Sequence, residues 1–269
     1  MDKVLASPEQ AVADIADAAT IAIAGFSVGH RFATSLILAL RDKGTKKLTL
    51  VCNSLGDPGA TRGQILAENK QVKKLIAAFS VRPGTPTASE EQIAAGELEV
   101  ELVPQGILVE RCRAGGAGIP AFYSPTSIGT DLVKGREIRE FNGKPHVLEY
   151  AIHVDYAFLR GYRADRLGNV QFRGGSQNFN PSFAKAARVA IVEVDEIVEP
   201  GGIPPELIDL PGIFVSRVVK TTQKFDLWRR PERRPSDKPR LYNGKPALTR
   251  AGIAKNAARL VKDGTYVNL

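Results

Sequence analysis

Histidine and cysteine, the side chains that most often bind metals or attack substrates, are few and scattered in this sequence. The histidines His30, His146 and His153 share no metal-ligand spacing, and the cysteines Cys52 and Cys112 belong to no CxxC pair. Cys52 ends an apolar run, where a buried and unreactive thiol is the usual arrangement. We therefore expect no metal site, reduced cysteines, and chemistry that depends on other residues.

Two glycine-containing segments could bring backbone amides close to a ligand. Residues 24–30 lie between a predicted strand and a predicted helix, where N–H groups and a helix N-terminus can bind an anion such as a phosphate. Gly25 and Gly29 fit neither the dinucleotide-binding pattern nor the P-loop pattern, so this motif alone is weak evidence. A second segment either lets a ligand approach the backbone closely or forms a tight loop facing another subunit, and we favour the loop. Its glycines are Gly115, Gly116 and Gly118.

Two side-chain amides suit the stabilisation of negative charge on a reacting oxygen, because an amide donates hydrogen bonds without acting as a base. Asn53 follows an apolar run that predicts a strand, and Gln105 lies in a Pro104-Gln105-Gly106 turn. Each residue also has an ordinary structural interpretation, as a strand-end amide that bonds its own backbone and as a turn amide. The residues alone leave both interpretations open.

Strand-like and helix-like segments alternate along the chain and would position these groups. Predicted strands at residues 20–26, 48–53 and 72–78 are separated by predicted helices at 33–41 and 62–69. This rhythm predicts an α/β fold with a mostly parallel, doubly wound sheet. Further strands are expected at residues 98–102, 156–160 and 190–194, a helix at 183–188, and irregular loops at 113–130 and 165–181.

The net charge of +8 is concentrated near the C-terminus. Nine basic and three acidic residues lie between Gln223 and Arg250, together with four prolines, which indicates a solvated linker over residues 223–248. The chain then divides into a main domain at 1–222, this linker, and a helix with a first strand at 249–269. The proline content and the lack of aromatic residues interleaved with the basic ones argue against nucleic-acid binding. With no leader and no long apolar run, we expect a cytoplasmic protein that is not bound to membranes.

Several segments, in order, resemble the α subunit of family I CoA-transferases, such as 3-oxoacid and acetate/acetoacetate CoA-transferases, and the resemblance covers nearly the whole chain. These segments are residues 24–26, 48–53, 96–106, 113–123, 164–169, 178–181, 192–199 and 211–213. Residues 249–269 resemble the start of the β half. One departure lies in the family signature Gly-Gly-Phe, three residues, Gly, any residue, Pro, because this chain has Ala24 at the first glycine and Phe32 at the proline.

The resemblance implies that CoA moves between an acyl-CoA and a carboxylic acid through a glutamyl-CoA thioester. The attacking glutamate belongs to a Ser-Glu-Asn-Gly stretch of the β half, and this chain contains no such stretch. The expected partner is therefore a β subunit or C-terminal half, in a heterotetramer, with CoA as substrate and no other cofactor. Gln105 and Asn53 are expected at the cleft. The residues expected to contact CoA are Ala24, Gly25, Phe26, Ser27, Val28, Gly29 and His30.

Three other functions compete with this interpretation. An acyl-CoA hydrolase or a sugar-phosphate isomerase on a similar fold would need a base in this chain, and no residue with a supporting motif suggests itself. A non-catalytic module would bind an acidic partner through the basic linker. Within the transferase interpretation, succinate, acetate and 3-oxo acids all fit as the carboxylate.

Overall fold

The computed structural model describes residues 1–26, 32–56, 62–80, 86–223, 241–242, 245–246 and 248–265. It contains two compact units, residues 1–228 and 229–269. The first half of the larger unit alternates helices and strands, as the sequence predicts. Its elements are α1 (Pro8–Val12), β1 (Thr20–Ile23), α2 (Thr34–Lys43), β2 (Leu48–Cys52), α3 (Gln64–Glu68), β3 (Val72–Ala77), α4 (Ala88–Ala94), β4 (Glu99–Leu102) and α5 (Gln105–Gly116).

The second half of the larger unit adds longer strands and a small separate sheet. Its elements are β5 (Ala121–Ser124), β6 (Ile138–Phe141), β7 (Lys144–Tyr150), β8 (Val154–Asp165), β9 (Val170–Gln171), α6 (Asn180–Ala186), β10 (Ala187–Val198) and β11 (Arg217–Lys220). The main sheet has the order β11-β10-β8-β1-β2-β3-β4, and every neighbouring pair in this order is parallel. Among the described strands, only β9 joins it antiparallel, against β8. The predicted α/β class with a mostly parallel sheet is confirmed.

The main sheet is covered on both faces, which explains why its central strands β1 and β2 are mostly apolar. Ile21 and Leu50 pack on one face with Leu36 and other side chains of α1, α2 and α3. Ala22 and other alternate residues of the same strands pack on the opposite face with α5 and α6, around Phe183. Successive residues of a strand point to opposite faces, so each strand contributes to both cores.

Several predicted element boundaries differ from the structure, and two of the differences have a clear physical cause. The helix expected at residues 183–188 ends at Ala186, because Ala187 already pairs with Val154 in the parallel ladder of β10 and β8. The irregular loop expected at 113–130 contains the last turn of α5 and the strand β5. In both places, pairing or packing with residues distant in sequence determines the conformation. The local composition therefore does not predict it.

The small sheet, in the order β5-β7-β6, is antiparallel and was not predicted. Its strands are short, and all four side chains of β6 are exposed, so the sequence shows little of the alternation that marks a strand. A buried ion pair supports the sheet. Both Nη atoms of Arg136 donate to the carboxylate of Glu149, at 3.0 and 2.6 Å, and Glu149 is only 1% exposed.

The smaller unit contains a short antiparallel pair, β12 (Leu241–Tyr242) and β13 (Lys245–Pro246), and the helix α7 (Arg250–Ala258). The Thr249 hydroxyl caps α7 by accepting from the Gly252 amide at 3.0 Å. A helix was predicted over 249–262, so its existence is confirmed and its C-terminal end is earlier. Most of the predicted linker and the predicted final strand lie outside the described residues. No helix in the described part is long and apolar enough to cross a membrane.

Candidate functional site

The two amides singled out in the sequence meet at the carboxyl edge of the main sheet. Asn53 directly follows β2, and Gln105 begins α5 after β4, so the two residues flank the end of β3. The Gln105 Nε2 donates to the Asn53 Oδ1 at 2.6 Å, although the residues are 52 positions apart. The backbone carbonyl of Asn53 accepts from the Phe79 amide at 2.9 Å, which fixes the end of β2.

This hydrogen bond sets the direction of both amides. Because the Asn53 oxygen accepts, its Nδ2 must point the other way, and Gln105 keeps a second N–H hydrogen. Within the part of the chain that the structure describes, neither of these remaining donors bonds to a protein group. Asn53 is 4% exposed, so its amide lies in a site largely shielded from water. Two oriented donors in such a place can stabilise a developing oxyanion.

The segment after β1 is packed tightly where the structure describes it. The Ala24 amide donates to the Phe158 carbonyl at 3.0 Å, and the Ala24 methyl is fully buried, so alanine is accommodated at the first signature glycine. Gly25 has φ +144°, and a Cβ there would lie 2.4 Å from the Phe32 ring. A side chain at position 25 is therefore excluded both by backbone strain and by contact. The predicted CoA contacts Ser27, Val28, Gly29 and His30 lie outside the described residues.

The first turn of α2 already binds an anionic side chain, so its Ser35 and Leu36 amides are not free for a ligand, and the CoA contact predicted for residues 24–30 stays a prediction. The Glu193 carboxylate of β10 accepts from the Ser35 and Leu36 amides at 2.8 and 3.2 Å. It also accepts from the hydroxyls of Ser35 and Thr221, at 3.0 and 2.6 Å. A carboxylate of the chain itself thus occupies the position that a phosphate would take at this helix.

Glu193 belongs to a buried group of charges that the sequence analysis missed. It is 1% exposed, and the Arg160 guanidinium lies 3.7 Å away through Nη1 and bonds Asp195 at 2.6 Å through Nη2. Arg160 Nη1 has no hydrogen-bond partner among the described residues. The sequence does contain a sign of this group, because Glu193 and Asp195 are two residues apart among apolar residues of the strand. This spacing places both carboxylates on one face. The pattern does not say which helix that face meets.

A positive charge next to the segment after β1 was also missed. The Arg62 guanidinium lies 5.5 Å from the centre of the Phe32 ring, in cation–π geometry. Partial burial lowers the pKa of Arg62, although an arginine stays charged at neutral pH. A CoA molecule near residues 24–26 would meet this charge. Isolated arginines in loops give no signal of this kind in a single sequence.

The glycines expected in a loop near the site are placed differently by the structure. Gly115 and Gly116 form the last turn of α5, where a Cβ would lie 2.3 Å from the Ile152 carbonyl oxygen or 2.5 Å from Lys185. They allow α5 to pack closely on its neighbours. Gly118, with φ +72°, lies in the turn after the helix. At about 1.5 Å per residue, Gly115 is roughly 15 Å along the helix from Gln105. Gly115 and Gly116 are therefore helical instead of lying in a loop, and a contact of this segment with a ligand or another subunit stays a prediction.

Neither cysteine is part of the site. Cys52 and Cys112 are free and buried, and burial raises the pKa of each thiol to about 12. The expected unreactive character of Cys52 follows from this environment. Within the described ranges, no group of three histidine, cysteine, aspartate or glutamate side chains could hold a metal ion.

Open parallel α/β sheets bind their ligands at the carboxyl ends of the strands, which is where the paired amides lie. The model of the coenzyme A transferase family matches residues 5–221. The chain therefore belongs to the coenzyme A transferase family.

Named relatives refine this assignment. The chain is 42% identical over 286 residues to human mitochondrial succinyl-CoA:3-ketoacid coenzyme A transferase 2, covering 99% of this chain and 54% of that protein. It is 47% identical over 205 residues to one subunit of the succinyl-CoA:3-ketoacid coenzyme A transferase of Xanthomonas campestris pv. campestris strain B100, covering 76% of this chain and 83% of that subunit. The chain thus spans about half the length of the mitochondrial relative and most of the bacterial subunit.

Solved structures agree with the fold. An acyl-CoA transferase from Escherichia coli O157:H7 superposes with a TM-score of 0.73 at 24% identity, over 85% of this chain and 49% of that one. At this identity the likeness concerns the architecture alone.

Proposed function

We propose that this chain is the α half of a CoA-transferase, which moves CoA between an acyl-CoA and a carboxylic acid together with a β half. The observation that carries the proposal is the Gln105–Asn53 hydrogen bond across the end of β3, which leaves oriented amide donors at the carboxyl edge of the sheet. Family membership supports the reaction class, since the matched region includes both residues. The relatives' names support succinyl-CoA and a 3-keto acid as substrates.

The reaction needs a carboxylate nucleophile and a site that stabilises oxyanions. A glutamate of the partner attacks the thioester carbonyl, which forms an acyl–glutamyl anhydride and releases the CoA thiolate. The thiolate then attacks the glutamyl carbonyl, which gives a glutamyl-CoA thioester and the free carboxylate product. A second carboxylate reverses these steps and leaves as the new acyl-CoA. Each addition places negative charge on a carbonyl oxygen, and the donors of Asn53 and Gln105 would stabilise that charge.

The nucleophile is assigned to the partner because the buried glutamates among the described residues already bond to other groups. Glu193 accepts hydrogen bonds from two backbone amides and two hydroxyls, and Glu149 is held by the Arg136 guanidinium. A carboxylate so fully bonded is a poor nucleophile, since attack would break those bonds. The sequence also lacks the Ser-Glu-Asn-Gly stretch that carries the family's nucleophile.

The remaining expectations concern partners and location. The bacterial relative is named as one subunit of its transferase, which supports a separate second chain, and a heterotetramer of two such pairs remains a prediction from the resemblance. Residues 24–30 remain the predicted CoA contact, and the Arg62 charge beside the Phe32 ring supports it. CoA would be a substrate, and no further cofactor is proposed. We place the enzyme in the cytoplasm, which the two buried free cysteines support.

The test is CoA exchange between an acyl-CoA and labelled carboxylates, with this chain alone and with the complex isolated from its native source. We expect exchange only with the complex, and only when both acyl-CoA and carboxylate are present. Exchange by the lone chain would contradict the assignment of the nucleophile to the partner. Consumption of the thioester by the complex without a carboxylate acceptor would indicate a hydrolase instead.

A further inference from the structure

The carboxyl ends of β1 and β2 lie side by side next to the amide pair. In the ladder of these strands Ile23 pairs with Cys52, so Gly25 and Asn53 follow neighbouring strand ends. Neighbouring strands are about 4.8 Å apart, so a small substrate bound at Asn53 also lies beside the segment after β1. Side chains held over these two strand ends are therefore close to a substrate whose carbonyl meets the amide pair.

Arg62 is held at these strand ends by contacts with the backbone. The Gln64 amide donates to the Leu55 carbonyl at 2.8 Å, which brings the start of α3 back to the residues that follow β2. The Arg62 side chain lies against Gly56, where a Cβ would be 2.5 Å from the Arg62 Cδ. Gly56 has φ +88°, which favours glycine, and the missing side chain leaves room for the arginine.

The guanidinium group of Arg62 is oriented by a buried aromatic ring. It lies 5.5 Å from the centre of the Phe32 ring, and the same ring would be 2.4 Å from a Cβ at Gly25. Phe32 is only 6% exposed, so a fixed ring connects the segment after β1 with the guanidinium. A guanidinium that lies over a ring keeps its N–H donors in its own plane, where they can bind oxygen atoms of a ligand.

Phe32 is also the position at which the chain departs from the family signature. The signature has proline there, and a proline ring offers no π face to a cation. The ring that replaces this proline is the one that contacts Arg62. The departure therefore places a charged side chain next to the segment after β1.

The charge of Arg62 suits the proposed acids. The pantetheine arm of CoA is uncharged and separates the thioester from the phosphates, so an anion close to the reacting carbonyl belongs to the acyl group. Succinyl-CoA carries a second carboxylate two methylenes from its reacting carbonyl, and a 3-keto acid carries a keto oxygen in the corresponding part of its chain. A guanidinium binds a carboxylate through two parallel hydrogen bonds and also donates to a keto oxygen.

Both acids occupy the same place in turn in a reaction that passes through one enzyme-bound intermediate, so one cation serves both. Burial lowers the pKa of Arg62, and a charge that is partly withdrawn from water gains more from an anionic ligand than an exposed one does.

We propose that Arg62, oriented by Phe32, binds the distal carboxylate of a succinyl group and the keto oxygen of a 3-keto acid, and thereby selects these acids over unsubstituted ones. The inference rests on the proposed CoA-transferase function and names the residue of this chain that recognises the acid. The amide pair contacts the reacting carbonyl, and Arg62 binds the other end of the same acyl group.

The first experiment compares butanoate, succinate and acetoacetate, whose carbon chains are of equal length, as acceptors in the complex with the β half. In Arg62→Gln we expect the ratio of kcat/KM for succinate to that for butanoate to fall at least about 10-fold, the size of a hydrogen bond to a charged group. The acetoacetate-to-butanoate ratio should fall less, because a keto oxygen is uncharged and glutamine still donates to it. Arg62→Lys keeps the charge without the planar fork, so intermediate ratios are expected.

The second experiment tests the ring that orients the guanidinium. Phe32→Leu removes the π face and keeps an apolar side chain, so we expect the succinate-to-butanoate ratio to fall about 2- to 5-fold, the usual contribution of a cation–π contact. Arg163→Gln is the matched control, because Arg163 also lies over a ring, 4.8 Å from the centre of that of Tyr162, and both ratios should stay unchanged. General damage to folding lowers the rates with all acids alike and leaves the ratios as they are.

The donor thioester distinguishes the acyl group from the phosphates of CoA. With S-acetylpantetheine, which lacks those phosphates, the fall in the succinate-to-butanoate ratio of Arg62→Gln should be as large as with acetyl-CoA. An equal loss with all three acids that is seen with acetyl-CoA and disappears with S-acetylpantetheine would assign Arg62 to a phosphate and overturn the inference.

The remaining outcomes separate this inference from the proposed function. An unchanged succinate-to-butanoate ratio in Arg62→Gln overturns the role of Arg62, while CoA exchange by the same complex leaves the proposed function standing. If Arg62→Gln does not assemble with the β half, Arg62→Lys and Phe32→Leu provide the same comparison of ratios. Absence of exchange in the wild-type complex would instead overturn the proposed function itself.

Discussion

The helices α2 and α5 both follow strands of the same sheet and both begin at its carboxyl edge, yet their N-termini are occupied differently. At α2, the buried Glu193 carboxylate accepts from the amides of Ser35 and Leu36. At α5, Pro104 provides no side-chain cap, the first turn has no acidic residue, and Gln105 directs its amide to Asn53. The N-terminus of α2 is occupied by a carboxylate of the chain itself, whereas the N-terminus of α5 presents donors toward the candidate site.

This difference separates a structural helix end from a functional one. A carboxylate at a helix N-terminus stabilises the helix, but it also removes those amides from any ligand. The open end at α5 lacks that stabilisation, and a groove lined by Gln105, Gly106 and Phe122 lies beside it. The substitutions below test whether the N-termini of α2 and α5 differ as these contacts indicate.

The largest effect is expected from Glu193→Ala at the closed end. The change removes one of two carboxylates near the buried Arg160, which keeps Asp195, and frees the two amides and two hydroxyls that bond Glu193. We expect the free energy of unfolding to fall by about 3–5 kcal/mol, because several hydrogen bonds to a buried charged group are lost. Urea unfolding of the chain followed by circular dichroism measures this.

The control is Glu196→Gln on the same strand, where the ion pair with Arg163 is exposed. A change within about 0.5 kcal/mol is expected there. Equal stability of the Glu193 and Glu196 variants would show that α2 does not depend on its internal cap.

The next-largest effect is expected on catalysis, from a change at the N-terminus of α5. Gln105→Ala removes one donor of the amide pair and leaves the sheet intact. We expect kcat of the complex to fall about 100- to 1000-fold, as for loss of one oxyanion donor. Gln71→Ala serves as comparison, because the Gln71 amide bonds the Leu40 and Thr45 carbonyls inside the core and affects stability instead. An unchanged kcat in Gln105→Ala would remove this residue from the site.

The sequence predicts some of the features behind these outcomes and does not predict others. Asn53 could be placed at the sheet edge because an apolar run ends there and parallel strands share one carboxyl edge. The tertiary partner of Glu193 could not be predicted, since Ser35 is 158 residues away along the chain. Gly115 and Gly116 were expected in a loop because glycine is common in loops, and close packing against Ile152 and Lys185 decided otherwise.

Substitutions at the two ends of α5 are expected to change the free energy of unfolding by smaller amounts and with opposite signs. Gly115→Ala places a methyl 2.3 Å from the Ile152 carbonyl oxygen, and we expect a loss of about 1–3 kcal/mol in the free energy of unfolding. Gly106→Ala meets open space, and we expect a gain of up to about 1 kcal/mol from helix propensity. Thermal unfolding of both variants measures the difference. The same sign for both would contradict the distinction between a packed and an open end.

The smallest effect concerns an ion pair that ties α5 to β4. Arg111 Nη1 lies 2.7 Å from Glu101, a residue of β4 that also contacts Lys74. Burial alone raises the pKa of Glu101, but Arg111 and Lys74 outweigh it, and the pKa is lowered from 4.5. The ionised pair therefore stabilises the fold above the ordinary carboxyl pKa, and this contribution is lost as the pH falls through the lowered value.

Arg111→Gln tests this contribution by pH-dependent unfolding. We expect a loss of about 1 kcal/mol at neutral pH that shrinks as Glu101 becomes protonated in acid. Lys70→Gln, which breaks the exposed pair with Glu97, is the control and should change little. A loss that is independent of pH would assign the effect of Arg111 to its bond with the Tyr150 carbonyl instead.

In the proposed reaction this chain supplies the oriented donors and the partner supplies the nucleophile, and the position of the covalent intermediate distinguishes these roles. The complex is incubated with acyl-CoA, digested, and analysed by mass spectrometry for peptides that carry CoA. We expect CoA on a glutamate of the partner and on none of this chain, with less of the adduct formed per unit time in Gln105→Ala. A CoA-modified glutamate within this chain would contradict this assignment of roles.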